Sequence, residues 1–446
     1  MFLESFWPSG WSPAIQVLLL RHPSQEPALA SYLPASRRAP ESVTMTRAGG
    51  LCVVSVLLTS RCNLACTYCY QGVAAPQTMS PELRRRCLDL LFTSDAQHLE
   101  LHFSGGEALL EFPALLEMTA EARARCPPDT RLTLALTTNG TLITDEIAAF
   151  LAREGFRVRV SFDGLAAAQD DRGAGSFPIV DQAIDDLLTA YGKRGARMLA
   201  VGLTLHRKRL PLLAKAMAAL LEKPLKEIQI TPVFTDDGPW DEEDERILEE
   251  QFKLIVELAL RRYARRLDRP IALFNREPLD DAKVAEPCGA ANPNTFVIAP
   301  DGRAGLCPLF FPSSRPKPPL AKHVARTLDL ASIRARDFAK RLAQSARGAR
   351  ELTVLRPDSE RRARDLACAT CDDRRECFIC PAAICYQANA TDPRRVPAFH
   401  CAFNRITAAA SRLFRARIEK LELPRGFAGL GVPSERARRE PASERN

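Results

Sequence analysis

No stretch of the 446-residue sequence approaches the ~20 consecutive apolar residues that a bilayer-spanning helix needs. The run at 14–20 is only seven residues long and is preceded by Glu4 rather than a basic cluster, so neither a membrane span nor an export signal is expected. A cytoplasmic location is the expectation. Histidines are scarce, six in all, and none stands in a pattern that nominates a general base. One-signed charge is also missing: 62 Lys and Arg face 54 Asp and Glu, and the net +8 is scattered over 334–365 and 412–446 without a nucleic-acid motif beside it. Solvated faces explain that excess better than a phosphate-binding stripe, so nucleic acid is not an expected partner. With 46% hydrophobic and 26% charged residues, the composition is that of a globular chain of two or three domains.

Fourteen cysteines are many for such a chain. Disulfides are improbable in a reducing compartment, so clustered thiols point to metal or cofactor ligation. Three sit together at Cys62, Cys66 and Cys69, and eight more lie between Cys288 and Cys401. Cys52, Cys87 and Cys126 are isolated and read as small buried apolar residues.

Residues 1–47 are rich in Pro, Ser and Arg and read as a loosely ordered extension. Short β-branched runs at 52–58, 99–103, 131–137, 157–161, 198–205 and 227–231 then alternate with amphipathic segments at 81–92, 112–125, 145–154, 179–191 and 210–221. That alternation predicts an α/β fold with a parallel sheet and crossover helices, either a barrel or a doubly wound sheet. A long helix over 242–267 ends it, and a Cys-rich segment with short strands follows. Its small core is expected to need metal. Residues from 426 onward are expected to be disordered.

The first strand runs into Arg61-Cys62-Asn63-Leu64-Ala65-Cys66-Thr67-Tyr68-Cys69. Three thiolates on one loop can hold three irons of a [4Fe–4S] cube and leave the fourth open for a ligand. Zinc more often uses paired Cys-x2-Cys knuckles and four ligands. Phe103-Ser104-Gly105-Gly106-Glu107 follows the second strand, and Thr137-Thr138-Asn139-Gly140 and Ser161-Phe162-Asp163-Gly164 follow the third and fourth. Each could be a mere strand-to-helix turn.

Together these motifs resemble the radical S-adenosylmethionine (radical SAM) superfamily, whose loop pattern is Cys-x3-Cys-x-aromatic-Cys with Tyr68 as the aromatic residue. The resemblance implies a partial (β/α)6 barrel, a cluster with an open iron, and S-adenosylmethionine (SAM) chelated there. It implies further that Gly105, Gly106 and Glu107 receive the methionyl amino group, that Asn139 lies near the ribose, and that Ser161 and Arg172 lie near the methionyl carboxylate. Relatives often carry His-Asp ahead of that arginine, where this chain has Gln169-Asp170, and a proline where it has Ala108.

Cys288, Cys307, Cys368, Cys371, Cys377, Cys380, Cys385 and Cys401 are enough for two four-cysteine clusters, although spacing alone allows structural zinc equally well. Their arrangement resembles the SPASM extension of peptide-modifying radical SAM enzymes, which implies two auxiliary [4Fe–4S] clusters. The departure is Cys377-x2-Cys380 followed by Cys385, where three residues usually separate the last pair. The expected organisation is thus an extension over 1–47, a radical SAM domain over 48–270, a SPASM-like domain over 271–410, and a C-terminal helix and disordered tail over 411–446.

The resemblance implies a peptide or protein substrate and a low-potential electron donor of flavodoxin or ferredoxin type. The leading expectation is maturation of a ribosomal peptide, for instance by crosslinking. Sulfatase maturation of the anaerobic type is the alternative; that group has an Asp directly after a SPASM cysteine, whereas Pro308 follows Cys307 here. A non-catalytic iron–sulfur or zinc scaffold is the reading from another class.

Overall fold

The computed structural model describes residues 51–420 apart from 72–74, 235–237, 276–287, 293, 312–317, 353–367, 369, 378, 388–390 and 393. The expected N-terminal extension and the tail from 426 lie outside the described residues. Strands β1 (Leu51–Thr59), β2 (His98–Gly105), β3 (Arg131–Thr138), β4 (Arg157–Ser161), β5 (Leu199–Leu205) and β6 (Glu227–Pro232) pair in sequence order, every pair parallel. Helices α1 (Pro81–Phe92), α2 (Phe112–Arg125), α3 (Asp145–Glu154), α4 (Phe177–Tyr191) and α5 (Leu213–Glu222) make the crossovers. The sheet does not close on itself, as a partial barrel requires.

Local chemistry sets these elements. Ser80 caps α1 by accepting from the Leu83 N–H with Pro81 in the first turn, and Thr144 caps α3 by accepting from the Ile147 N–H. Strands β2, β4, β5 and β6 alternate. Leu99, Leu101 and Phe103 of β2, Val158 and Val160 of β4, and Leu199, Val201, Leu203 and Leu205 of β5 are buried, while the residues between them face the more open inner side. Each buried Leu or Phe contributes about 1.5–3 kcal/mol of transfer free energy.

Several strands extend a residue or two beyond expectation, and three element starts shift for a local reason. Met198 ends a short helical turn, Gly195–Met198, so β5 starts at Leu199. The fourth helix starts at Phe177 because Pro178 suits a first turn, and the fifth is preceded by a 3-10 segment, Arg207–Leu212, that accommodates Pro211.

Helix α6 (Glu242–Arg266) begins in a capping box between Asp241 and Asp244. Beyond it, β7 (Thr295–Ile298) pairs parallel with β1, and β8 (Arg303–Gly305) and β9 (Asp329–Ser332) follow antiparallel. Helix α7 (Pro319–Leu328) precedes β9, and α8 (Phe338–Glu351) follows it. The cysteine-rich segment therefore extends the barrel sheet past β1, in the order β6-β5-β4-β3-β2-β1-β7-β8-β9. Helix α9 (Ala398–Lys420) packs Phe403 and Phe414 against Phe252 and Tyr263 of α6.

Arg262 of α6 is the largest fully buried side chain. It pairs with Asp268 and donates to the Leu221 and Lys223 carbonyls at the end of α5. Replacing it strands those carbonyls in a dry interface, although Asp268 stays partly solvated. Arg262→Ala should lower unfolding stability by about 3 kcal/mol in chemical denaturation, whereas a similar change at the exposed Arg265 should have little effect.

Candidate active site

The cysteine loop leaves the carboxyl end of β1 and is held at its root by backbone. Gly106 N–H donates to Thr59 O at 2.8 Å and Glu107 N–H to Arg61 O at 2.8 Å. A Cβ on Gly105, whose φ is +141°, would lie 2.4 Å from Thr59 O, and one on Gly106 would lie 2.1 Å from Arg61 O. Only two glycines allow β2 and the loop to approach this closely.

The tip is pinned on two further sides. Asn139, at the end of β3, donates from Nδ2 to Asn63 Oδ1 at 2.9 Å, and that nitrogen lies 3.7 Å from Cys62 Sγ. Thr67 N–H donates to Asp171 O at 2.9 Å, and Leu64 packs against Gly173 where a Cβ would stand at 2.7 Å. Arg209 and Lys208 in turn grip the Asp171 carboxylate at 2.8 Å each.

Cys62 is exposed and Cys66 and Cys69 are half-buried. Burial pushes the Cys66 thiol up to about 11, and raises Cys62 against the Leu64 N–H donated to its sulfur at 3.4 Å. Cys62 and Cys66 both feel the charge of Cys69, so the three sulfurs face one region. Among the described residues no three His, Cys, Asp or Glu side chains converge on a point suited to one ion. A cube takes each thiolate at a different iron, so three thiols on one loop, one with an N–H donor to sulfur, fit it as a donor set.

Glu107 is buried, and its carboxylate accepts from Leu109 N–H at 3.0 Å, Thr138 Oγ1 at 2.8 Å and Asn139 N–H at 2.7 Å. Burial raises its pKa against those three donors. The carboxylate expected at a methionyl ammonium thus ties the end of β2 to the end of β3. Arg172, expected at the methionyl carboxylate, is buried and donates to both oxygens of Asp163 at 2.8 Å, to Gly202 O at 3.1 Å and to Thr204 Oγ1 at 3.2 Å. Burial alone would weaken its charge, but Asp163 holds the guanidinium well above its usual range. Gln169 takes the Asp163 N–H at 2.9 Å and reaches Ser176, so its buried amide is spent inside the protein.

Tyr68 closes this network. Its hydroxyl donates to Asp163 at 3.3 Å, Arg172 lies 5.5 Å from the ring centre, and His206 packs at 4.5 Å. Ser161 is half-buried at the end of β4. Sequence reasoning missed Asp163 as the hub, because nothing local distinguishes it from a helix-capping aspartate. His102 sits on the inner face, with Nδ1 3.2 Å from Ser55 Oγ and Nε2 2.9 Å from Thr137 Oγ1.

In the second set, burial raises the Cys307 thiol strongly, reinforced by the charges of Cys380 and Cys288, so these three share one environment. Cys368, Cys371 and Cys377 are half-buried, Cys385 is fully buried on the turn Pro381–Cys385, and Cys401 is exposed on α9. Tyr70 feels both Cys69 and Cys307, which places it between the two thiol sets. Gln71 donates to Gly105 O at 2.8 Å. Cys52 and Cys87 are core residues as expected, whereas Cys126 is half-exposed because it ends α2.

Two outcomes follow from this geometry. Gly106→Ala must push the Arg61 carbonyl away, so it should lower iron uptake on anaerobic reconstitution severalfold while far-UV circular dichroism stays unchanged. Burial first, then Arg159, lowers His102 to about 4. The unfolded state therefore takes up its proton first, and stability is lost as pH falls from about 6.5 toward 4. Between pH 7 and pH 5 this should cost on the order of 2 kcal/mol, and His102→Gln should flatten that part of the unfolding-versus-pH curve.

Residues 56–207 match the Radical SAM superfamily. GTP 3',8-cyclase of Parasynechococcus marenigrum (strain WH8102) is 38% identical over 135 residues, covering 29% of this chain and 38% of its own. The serine-type anaerobic sulfatase-maturating enzyme of Bacteroides thetaiotaomicron is 31% identical over 153 residues, covering 31% and 37%. The chain thus spans under two fifths of the length of these curated relatives. A solved structure described as native anSMEcpe with bound AdoMet superimposes with a TM-score of 0.60 at 16% identity, over 83% of this chain and 100% of that one. Among the described residues no helix is long and apolar enough to cross a membrane. The loop that the two glycines clamp is the cysteine motif of the matched segment, and residues 56–207 are a radical SAM domain, in a family whose cofactors are a [4Fe–4S] cluster and SAM.

Proposed function

We propose that this protein is a radical SAM enzyme that modifies a side chain of a peptide or protein. The observation that carries the reading is the three-thiol loop fixed by backbone to Gly106 and Glu107 at the open carboxyl end of a partial barrel, with a second thiol set built onto the same sheet. Bound there, the cluster and SAM would supply a 5′-deoxyadenosyl radical able to take hydrogen from an unactivated C–H bond. The chain's own contribution is positional. Cys62, Cys66 and Cys69 hold the cluster, Gly105 and Gly106 leave backbone close to SAM, and Asn139 and Ser161 present polar groups from adjacent strand ends. Asp163 and Arg172 fix Tyr68 against the loop. Holding the reacting carbon in place is the main task left to the protein.

Cys288, Cys307, Cys368, Cys371, Cys377, Cys380, Cys385 and Cys401 are proposed to hold two auxiliary clusters that take up the electron left on the substrate, with a flavodoxin or ferredoxin as the low-potential donor in the cytoplasm. Support for a peptide substrate comes from the shared fold: another structure of the same neighbour, with TM-score 0.60 and 17% identity, is described with bound AdoMet and Kp18Cys peptide. Sulfatase-type dehydrogenation is the second reading, favoured by the Bacteroides relative. Pro308 directly after Cys307 leaves no aspartate at that place.

Anaerobically reconstituted protein should carry about twelve irons, the content of three cubes, and should form 5′-deoxyadenosine from SAM and a reductant. Cys66→Ala should abolish that product. A peptide encoded nearby should lose two hydrogens by mass spectrometry, and a sulfatase fragment offered in its place separates the two readings. Deoxyadenosine without any mass change would remove the peptide assignment, while zinc with about four irons would make the second module structural.

A further inference from the structure

Strand β4 reads Arg-Val-Arg-Val-Ser, with Val158 and Val160 buried under the helices. The alternation turns Arg157, Arg159 and Ser161 to the inner face. Register places Thr137, Arg159, Ala200 and Glu227 in one row across the sheet, and Ser161, Gly202 and Gln229 in the row above. Arg159 is thus one inner-face step below Ser161, in the space beneath the strand ends that carry the cofactor motifs. Gly202 on the neighbouring strand gives the arginine room: a Cβ there would stand 3.7 Å from Arg159 Cδ.

Both guanidiniums are unusually idle for inward-facing groups. Among the described residues neither makes a hydrogen bond. Arg159 comes only to 3.9 Å from Glu227 and Arg157 to 4.0 Å from Glu100, with the arginine side chains 46% and 45% exposed. Gln229 already donates to the Glu227 carboxylate. His102, whose charge Arg159 helps suppress, adds no second cation. Elsewhere in the barrel Arg172 is held through Nε and Nη2 by Asp163, Gly202 and Thr204.

We propose that Arg159, with Arg157 below it, binds a carboxylate of the substrate and so sets which residue lies beneath the SAM site. A planar guanidinium with free N–H pairs is matched to a carboxylate fork. The neighbouring Glu100 and Glu227 offset much of the charge of the two arginines, so the pocket does not suit a polyphosphate chain, and a carboxylate is recognised there through the guanidinium N–H groups that make no hydrogen bond. The proposal rests on the peptide reading and narrows it to an acidic side chain or a free C-terminus near the reacting position.

The test uses anaerobic holoenzyme, SAM and reductant, with stimulation of 5′-deoxyadenosine formation read relative to each variant's own peptide-free rate. The probes are pools of N-acetylated hexapeptides with mixed flanks. One pool has a fixed Glu or Asp and an amidated C-terminus, a second has Gln or Asn instead, and a third is the second with a free C-terminal carboxylate. GTP is the fourth probe. Stimulation by the first pool or the third, but not by the second, is expected, and tells a side-chain carboxylate from a terminal one. Arg159→Gln should remove that preference by about tenfold or more, Arg159→Lys should restore part of it, and Arg159→Glu should shift it to a Lys-containing pool.

Equal stimulation by the amidated acidic and amide pools overturns the proposal and leaves the peptide reading standing. Stimulation by GTP alone, or by none of the probes, overturns it as well, and the first of these also removes the peptide reading. An Arg159→Gln variant that keeps the carboxylate preference but needs much more SAM would assign the arginine to the cofactor and likewise overturn it.

Discussion

Two backbone hydrogen bonds carry this site: Gly106 N–H to Thr59 O and Glu107 N–H to Arg61 O, both 2.8 Å. They join the end of β2 to the root of the cysteine loop at a separation where no side chain fits. A loop bearing three thiols has little structure of its own, and a cluster bound by a mobile loop would not face any fixed point of the barrel. The glycines remove that freedom at the root, and Asn139 and Asp171 remove it at the tip. The root constraint comes from the end of β2, and the tip constraints come from the end of β3 and from the segment after β4, so the loop takes this form only when those strands are in place.

The buried ionic groups serve the same purpose. Glu107 and Asp163 look from sequence like ligand contacts or caps, yet both carboxylates face protein donors. Burying a carboxylate is costly unless its lone pairs are filled, and here Thr138 and Asn139 serve Glu107 and the Thr204 N–H serves Asp163 from neighbouring strand ends, so a correct strand order is one condition for satisfying them. Arg172 could not leave Asp163 for a ligand without stranding a charge in the core.

The cysteine-rich segment is not a separate bead. β7 adds to β1 in parallel, so the strand that launches the first cysteine loop is also the strand on which the second module is built. Tyr70, sensing both Cys69 and Cys307, stands where the two thiol sets approach.

The linear sequence was sufficient for what depends on local chemistry. The period-two strands, the capped helices, the three-cysteine loop and the Gly-Gly-Glu turn were legible because each is written in consecutive residues. Helix starts were misplaced only where a proline altered the first turn, at Pro178 and Pro211. What the tertiary structure alone decided concerns residues far apart in the chain: that Glu107 serves Asn139, that Arg172 belongs to Asp163 and Thr204, that β7 joins β1, and that Arg157 and Arg159 face inward with only long ion pairs to Glu100 and Glu227. Whether a charged side chain is spent or available is a property of its neighbours in space, and strand register, not spacing along the chain, determines those neighbours.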